Sequence, residues 1–185
     1  MYVPTDIHGE SGLDGTSLLP KPLVPADTSV PAIDAAAAAL KAEAPGTAWV
    51  VATGSFTNAA ALFIKYPDLA GHIKGLSLMG GAVGGGFTPA VLGMVDGVPR
   101  IGNFTPYAEF NVLADPEAAA SLFGNKELAG KTTLIPLDLS HLVLTTREVQ
   151  NLVLYGADGE RTGPGKTTLR VMLVELLMFF AKTYA

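Results

Sequence analysis

The sequence predicts an α/β protein built on a mostly parallel, open sheet with helices on both faces. Three short apolar segments, at 47–54, up to about Met79 and at 131–139, alternate with segments of helical periodicity. This alternation is typical of βαβ units. The 185 residues suffice for a domain with a sizeable core. We therefore predict a single domain over residues 1–185.

The first third of the chain supplies two helices and the first strand. Residues 1–31 are rich in proline and glycine and lack periodicity, which indicates a loop or an element separated from its context. Alanines dominate 32–43, a predicted helix that ends before Pro-Gly. After the strand at 47–54, apolar spacing predicts a helix up to about Tyr66, with Ser55 or Thr57 as its N-cap.

The remaining elements follow in the same order. The strand that ends near Met79 leads into a glycine-rich region with "VDGVPRIG", a predicted hairpin or lid. A helix near 116–123 is capped by Asp115. Another helix, near 146–154, has a capping-box-like start. The last helix, 166–184, is predicted to turn one apolar face to a core: Leu169, Met172, Leu173, Leu176, Leu177 and Phe180.

Composition and charge exclude several classes of function. The net charge is −5 and no basic cluster reverses it, so we expect no nucleic-acid partner. The chain has no cysteine, which excludes disulfides and thiolate metal sites. Hydrophobic residues make up 49% and the mean hydropathy is +0.36, so we expect apolar surface that meets a partner subunit or a missing part of the chain, and a homo-oligomer is possible.

Targeting signals are not visible in the sequence. The first ten residues lack the basic and apolar regions of a secretory signal. Leu169–Ala181, the most apolar segment, is too short and too charged to span a bilayer. We expect a cytoplasmic protein with no membrane partner.

One loop concentrates polar groups at the predicted binding edge of the sheet. Asn103, Glu109 and Asn111 offer amide donors, amide acceptors and a carboxylate, which complement a polyhydroxylated sugar. In parallel sheets ligands bind beyond the carboxyl ends of the strands, where this loop is predicted to meet Thr53 and Gly80. The alternative is that both asparagines bond turn backbone and that Glu109 is solvated.

Two other features invite a functional interpretation. "GGAVGGG", at 80–86, fits neither a P-loop nor a dinucleotide fingerprint, and a hinge that lets backbone approach a ligand is the better interpretation. His8 lies among glycines, where it could deliver a proton to a leaving group or be a surface residue. Metal binding by side chains is weakly supported, because no close pair of carboxylates follows a strand.

Four segments together resemble one known family. They are "DIHGESGLDG", "VATGSFTNAAALFIKYPDL", "LSLMGGAV" and "GNFTPYAEFNVLADPEAA", and the last is the most specific. The chain resembles the calcium-dependent nucleoside hydrolases, the inosine-uridine preferring nucleoside N-ribohydrolases, over nearly its whole length. The resemblance implies a Rossmann-like core and hydrolysis of the N-glycosidic bond of ribonucleosides to base and ribose.

The resemblance also assigns roles to individual residues. It implies that Asn103 and Glu109 bind the side of ribose that carries the 5′-hydroxyl, and that Asn111 holds ring hydroxyls. Met79 is expected to line the ribose pocket. The sugar partner is thus a ribonucleoside or ribose, held by hydroxyl contacts that favour a flattened ring in the transition state.

Calcium and catalysis are implied in the same way. The resemblance makes the backbone carbonyl of Thr53 one calcium ligand and places His8 in a mobile loop that closes over the base. The family's D-x-D-x-G-x-D-D motif, however, has no counterpart here, and its His-Asp pair beyond the final helix is also missing. We therefore expect a chain truncated at both ends that binds calcium weakly and is inactive by itself. The alternative is a non-catalytic sugar-binding or interaction paralogue.

Overall fold

The structure is a computed structural model that describes residues 5–157 and 166–183. Contacts between residues group the chain into two compact units, each described separately below. The first comprises residues 26–143, and the second joins the described residues up to Pro25 to those from Leu144 onward. The single domain over residues 1–185 stays a prediction.

The first unit is built on a three-stranded parallel sheet. Its strands β1 (Trp49–Ala52), β2 (Gly75–Met79) and β5 (Thr132–Ile135) lie in the order β1, β2, β5. Val51 pairs with Ser77, and Leu78 pairs with Leu134. The parallel sheet predicted from the alternation is therefore confirmed.

The end of the third strand differs from the sequence prediction. We predicted a strand over 131–139, but β5 ends at Ile135 and the short helix α8 (Leu137–Ser140) follows. Pro136 separates the two elements. Proline has no backbone N–H for the sheet and suits the start of a helix, which explains the change of structure at this residue.

Helices of the first unit pack against one face of its sheet. These are α2 (Ala32–Ala42), α3 (Thr57–Lys65), α4 (Asp68–His72), α6 (Pro116–Phe123) and α7 (Lys126–Ala129). Leu76 and Leu78 of β2 lie in the resulting core and are fully buried. Side chains alternate between the faces of a strand. Trp49 and Val51, which lie on the opposite face, are 47% and 65% exposed.

The capping predictions have mixed outcomes. Asp115 accepts a hydrogen bond from the N–H of Ala118 at 3.1 Å and is the N-cap of α6, as predicted. Neither Ser55 nor Thr57 caps α3, because Phe56 occupies the N-cap position without a side-chain bond. The Thr57 hydroxyl instead donates to the Asp115 carboxylate. The hydroxyl predicted to cap α3 is therefore used in a contact between α3 and the start of α6.

The predicted hairpin is present. Strands β3 (Met94–Val95) and β4 (Val98–Pro99) pair in antiparallel fashion across a two-residue turn. Asp96 has φ 51° and Gly97 has φ 78°. Two consecutive residues with positive φ are the geometry of a type I′ turn, which Asp-Gly favours.

The second unit consists of helices α1 (Thr5–His8), α9 (Arg147–Tyr155) and α10 (Thr168–Thr183). Helix α1 lies within residues 1–31, for which a loop or an element separated from its context was predicted. Arg170 ties α10 to α9, because its guanidinium donates to the carbonyl of Val153 at 2.7 Å. Among the residues described, no helix reaches the length and hydropathy that crossing a bilayer demands.

The predicted apolar face of α10 is only partly covered. Leu169, Leu173 and Leu177 are exposed, at 60%, 42% and 38%, which contradicts their assignment to a core. Met172 and Leu176 are half-buried. Residue 184 and the side chain of Phe180 lie outside the described residues.

Candidate functional site

The predicted site lies at the carboxyl ends of β1 and β2. Helix α5 (Phe110–Ala114) places the Asn111 side chain across these two strand ends. Its amide nitrogen Nδ2 lies 3.0 Å from the carbonyl oxygen of Met79 and 3.4 Å from that of Thr53. The same nitrogen lies 3.1 Å from the sulfur of Met79. The structure therefore brings together three of the residues that sequence reasoning singled out.

Glu109 is the charged member of this group and is 3% exposed. Its Oε2 accepts hydrogen bonds from the N–H of Gly81 at 2.8 Å and from the N–H of Val112 at 3.1 Å. The second bond makes Glu109 the N-cap of α5. The alternative in which Glu109 is simply solvated is therefore wrong.

Glycine at position 80 lets the Glu109 carboxylate and the Phe56 ring lie close to the backbone, because glycine has no side chain. A Cβ atom on Gly80 would lie 2.8 Å from the ring of Phe56 and 3.2 Å from Oε2 of Glu109. Both distances are shorter than ordinary van der Waals contact, so any larger residue would push the carboxylate or the ring aside. Phe56 is fully buried, and its ring lies next to Gly80.

Asn103 has a different position from the other polar residues. Its Oδ1 accepts a hydrogen bond from the N–H of Phe110 at 2.9 Å, and its carbonyl accepts one from Arg100 at 3.1 Å. The Oδ1 of Asn103 therefore bonds a backbone N–H of the loop, which agrees with the alternative interpretation that we gave for both asparagines. Its Nδ2 remains the group that it can offer to a ligand.

The loop that carries Asn103 is held together by its own backbone. The N–H groups of Ile101 and Gly102 both donate to the carbonyl of Pro106, at 2.8 and 3.1 Å. A Cβ atom on Gly102 would lie 2.1 Å from the carbonyl oxygen of Ala108. Only glycine fits at that point, and the close approach fixes the shape of the loop before Glu109.

Sequence reasoning missed Asp138, which lies just beyond the carboxyl end of β5. It is 3% exposed, and its two oxygens accept hydrogen bonds from Val83 N–H at 2.7 Å and Gly84 N–H at 2.8 Å. Burial disfavours its charge, but these two N–H groups more than compensate and hold the pKa of Asp138 below its ordinary value of 3.8. An aspartate three residues after the end of β5, at the same sheet edge as the predicted site, was the available signal.

The segment 80–86, here called the glycine loop, is fixed over its first half. Gly80 N–H donates to the carbonyl of Ile135 at 3.2 Å, and the carbonyl of Gly81 accepts from Leu137 N–H at 2.8 Å. Asp138 accepts from the N–H groups of Val83 and Gly84. The loop is thus hydrogen-bonded up to Gly84, and its role as a hinge stays a prediction.

Two cavities open beside these residues in the first unit. One, of about 350 Å³, lies along β1 next to Thr53 and Asn58. The other, of about 410 Å³, lies along the glycine loop next to Arg100 and Asp138. The buried Glu109 lines neither of them.

His8 and His72 lie in different units and have different surroundings. His8 is the last residue of α1 in the second unit, and its role in proton delivery stays a prediction. His72 has its Nε2 3.0 Å from the carbonyl of Leu40 and 3.1 Å from that of Glu43, at the end of α2. These contacts indicate a structural role for His72 at the end of α2.

A calcium ion in a protein is bound by about six to eight oxygen ligands. Within residues 5–157 and 166–183, no group of three or more His, Cys, Asp or Glu side chains could hold a metal ion. The predicted ligand, the Thr53 carbonyl, already faces the Asn111 amide. The described residues therefore do not fit a complete calcium site.

Comparison with known proteins identifies the family. The sequence profile described as "Inosine-uridine preferring nucleoside hydrolase" matches residues 2–185. The chain belongs to this family. The resemblance recognised from the four sequence segments is thus confirmed, and the parallel sheet agrees with the fold of this family.

Relatives within the nucleoside hydrolase family differ in their named substrates. The chain is 37% identical to the uridine nucleosidase of Saccharomyces cerevisiae, over 99% of this chain and 47% of that protein. It is 32% identical to the pyrimidine-specific ribonucleoside hydrolase RihA of Salmonella newport, over 97% of this chain and 48% of that protein. The chain spans about half the length of the curated relatives it matches.

A solved structure shows the same fold. The purine-preferring ribonucleoside hydrolase from Gardnerella vaginalis matches with a TM-score of 0.71 and 26% identity, over 97% of this chain and 48% of that one. The named base preferences of the relatives therefore include both purine and pyrimidine. All three names refer to a nucleoside, so the sugar is the part of the named substrates that these relatives have in common.

Proposed function

We propose that this chain provides ribose-binding groups of a nucleoside N-ribohydrolase, an enzyme that hydrolyses ribonucleosides to free base and ribose. The observation that carries the proposal is the Asn111 amide, which spans the ends of two parallel strands beside the buried carboxylate of Glu109. Membership of the nucleoside hydrolase family supports the reaction class.

The available hydrogen-bonding groups suit sugar hydroxyls. Both bonds to Glu109 end on Oε2, which leaves Oε1 as an acceptor for a ligand. Asn111 uses Nδ2 towards backbone carbonyls, so its Oδ1 is the second acceptor. Asn103 uses Oδ1 and so offers a donor. A hydroxyl both donates and accepts, and this set of two acceptors and one donor can meet several hydroxyls at once.

The reaction adds water across the bond between C1′ of ribose and a nitrogen of the base. The hydroxyl of water becomes bonded to C1′, and the departing base nitrogen gains a proton. The residues described here bind and orient the sugar, and their contacts accelerate the reaction when they strengthen as the ring flattens. His8 as proton donor to the base is a proposal by family resemblance alone.

Calcium has no step in this proposal, because the described residues do not form its coordination shell. We propose that this polypeptide by itself binds the ion weakly and turns over slowly or not at all. Base preference is left open, because the relatives named above differ in it. A homo-oligomer and a cytoplasmic location stay predictions.

The first test is binding of D-ribose and of uridine to the 185-residue chain, followed by calorimetry and by chemical shifts of the Gly81 and Val112 amides. We expect saturable binding that shifts both amides. No binding of either ligand would contradict the proposed function. Calcium-dependent release of base from inosine or uridine by this chain alone would contradict the proposed inactivity.

The second test removes the sugar contacts in the longest natural reading frame that contains this sequence. Combining Glu109→Ala with Asn111→Ala is expected to cost about 2–5 kcal/mol in kcat/KM, because buried sugar hydroxyls lose their partners. The matched control combines Glu117→Ala with Asn125→Ala, which changes the same residue types on α6 and before α7. Unchanged kcat/KM in the first double variant would refute the assignment.

A further inference from the structure

Asp138 is one of three buried polar side chains among the residues described, with Glu109 and Asn111. Each of its carboxylate oxygens accepts one backbone N–H of the glycine loop, at 2.7 and 2.8 Å. Its own carbonyl accepts the Thr88 hydroxyl at 2.7 Å. Three bonds thus join this residue to the glycine loop and to the segment between that loop and the hairpin.

The glycine loop connects Asp138 to the sugar site. Gly81, at the start of this loop, donates its N–H to Oε2 of Glu109. Its carbonyl accepts from Leu137, the residue directly before Asp138. The two carboxylates therefore hold the same short stretch of backbone, Glu109 at Gly81 and Asp138 at Val83 and Gly84.

We propose that Asp138 is a positioning residue of the ribose site: it fixes the glycine loop so that Gly81 N–H stays on Oε2 of Glu109 and Oε1 faces the ligand. The inference rests on the proposed function. Asp138 acts through the loop and contacts no sugar itself, because each of its two oxygens already accepts a backbone N–H, whereas both bonds to Glu109 end on Oε2.

The chemistry of the carboxylate explains why an aspartate stands here. Two adjacent N–H groups need two acceptors in one plane, and an ionised carboxylate offers both with charge-assisted bonds. An asparagine has a single acceptor oxygen and would place an NH₂ group against the second N–H. Loss of that bond frees Val83 or Gly84, and the backbone leading to Gly81 is then held only at its other end.

The test compares two aspartate variants of the full 185-residue chain. Asp138→Asn removes the clamp on the loop. Asp115→Asn is the matched control, because Asp115 also accepts a backbone N–H and a hydroxyl but does so at the start of α6, away from the glycine loop. The readouts are hydrogen exchange of the Val83 and Gly84 amides, thermal unfolding, and the Kd for D-ribose.

We expect Asp138→Asn to raise amide exchange in the loop and to weaken D-ribose binding by about tenfold, the effect of one lost hydrogen bond to a charged group. Asp115→Asn should lower the melting temperature without changing either loop exchange or Kd. Rescue of binding by Asp138→Glu, which keeps the charge, would support the role of the carboxylate.

Two outcomes overturn the inference, and each points to a different cause. If wild type binds D-ribose and Asp138→Asn binds it equally well, the role of Asp138 is refuted and the proposed function stands. The same holds if Asp115→Asn weakens binding as much as Asp138→Asn does. If wild type binds neither ribose nor uridine, the proposed function fails, and the role of Asp138 in it fails with it.

Discussion

Replacing Glu109 by alanine tests whether the buried carboxylate organises the strand ends. The change leaves two N–H groups without their acceptor, that of Gly81 at 2.8 Å and that of Val112 at 3.1 Å. Loss of a helix N-cap costs about 0.5–2 kcal/mol. A buried N–H left unsatisfied costs about 1–3 kcal/mol. Because the two losses share one side chain and partly overlap, we expect the free energy of unfolding to fall by about 2–4 kcal/mol.

Urea unfolding of the 185-residue chain measures this loss, with the fluorescence of Trp49, the single tryptophan, as the signal. Glu109→Gln keeps a neutral acceptor and should lose only about 1 kcal/mol. The control is Glu117→Ala on the exposed first turn of α6, for which we expect a change within about 0.5 kcal/mol. A Glu109→Ala protein as stable as the Glu117→Ala protein would refute the reasoning.

Three further predictions concern the framework around the site. Gly102→Ala should lower the melting temperature and change the NMR chemical shifts of the loop, because its Cβ would lie only 2.1 Å from the Ala108 carbonyl oxygen. Leu76→Ala should cost about 2–5 kcal/mol in urea unfolding, against less than about 1 kcal/mol for Val51→Ala, because only the first is buried. Hydrogen bonds from a threonine hydroxyl and a helix N–H keep the pKa of Asp115 below its ordinary value of 3.8, so ionised Asp115 stabilises the fold above that pH. The stability gap between wild type and Asp115→Asn should therefore close as the pH falls below about 4, and a gap that persists at pH 2 would contradict the pKa direction.

Regular elements with strong local signals were predictable from sequence. The alanine-rich helix α2, the strands β1 and β2 and the Asp-Gly hairpin all lie close to their expected positions. Their signals are local: helix propensity, a short apolar run, and residues that accept positive φ. The helix at 116–123 belongs with them, because Asp-Pro marks its start directly.

Predictions failed where a distant partner decided the outcome. Thr57 was a plausible N-cap, but its hydroxyl donates to Asp115, which is 58 positions away in sequence. The apolar row of α10 suggested a fully covered face, yet Leu169, Leu173 and Leu177 are exposed among the residues described. In both cases, the choice among several allowed arrangements came from packing.

The sequence by itself determined the family, the alternation of strands and helices, and the set of polar residues at the site. Residue types and their spacing encode these properties directly. Only the tertiary structure decided that Glu109 is buried and caps α5, that Asn111 spans two strand ends, and that Asp138 clamps the glycine loop. Apart from the local cap at Val112, these contacts join residues 28 to 58 positions apart, so their geometry depends on how the strands are arranged, which no local pattern records.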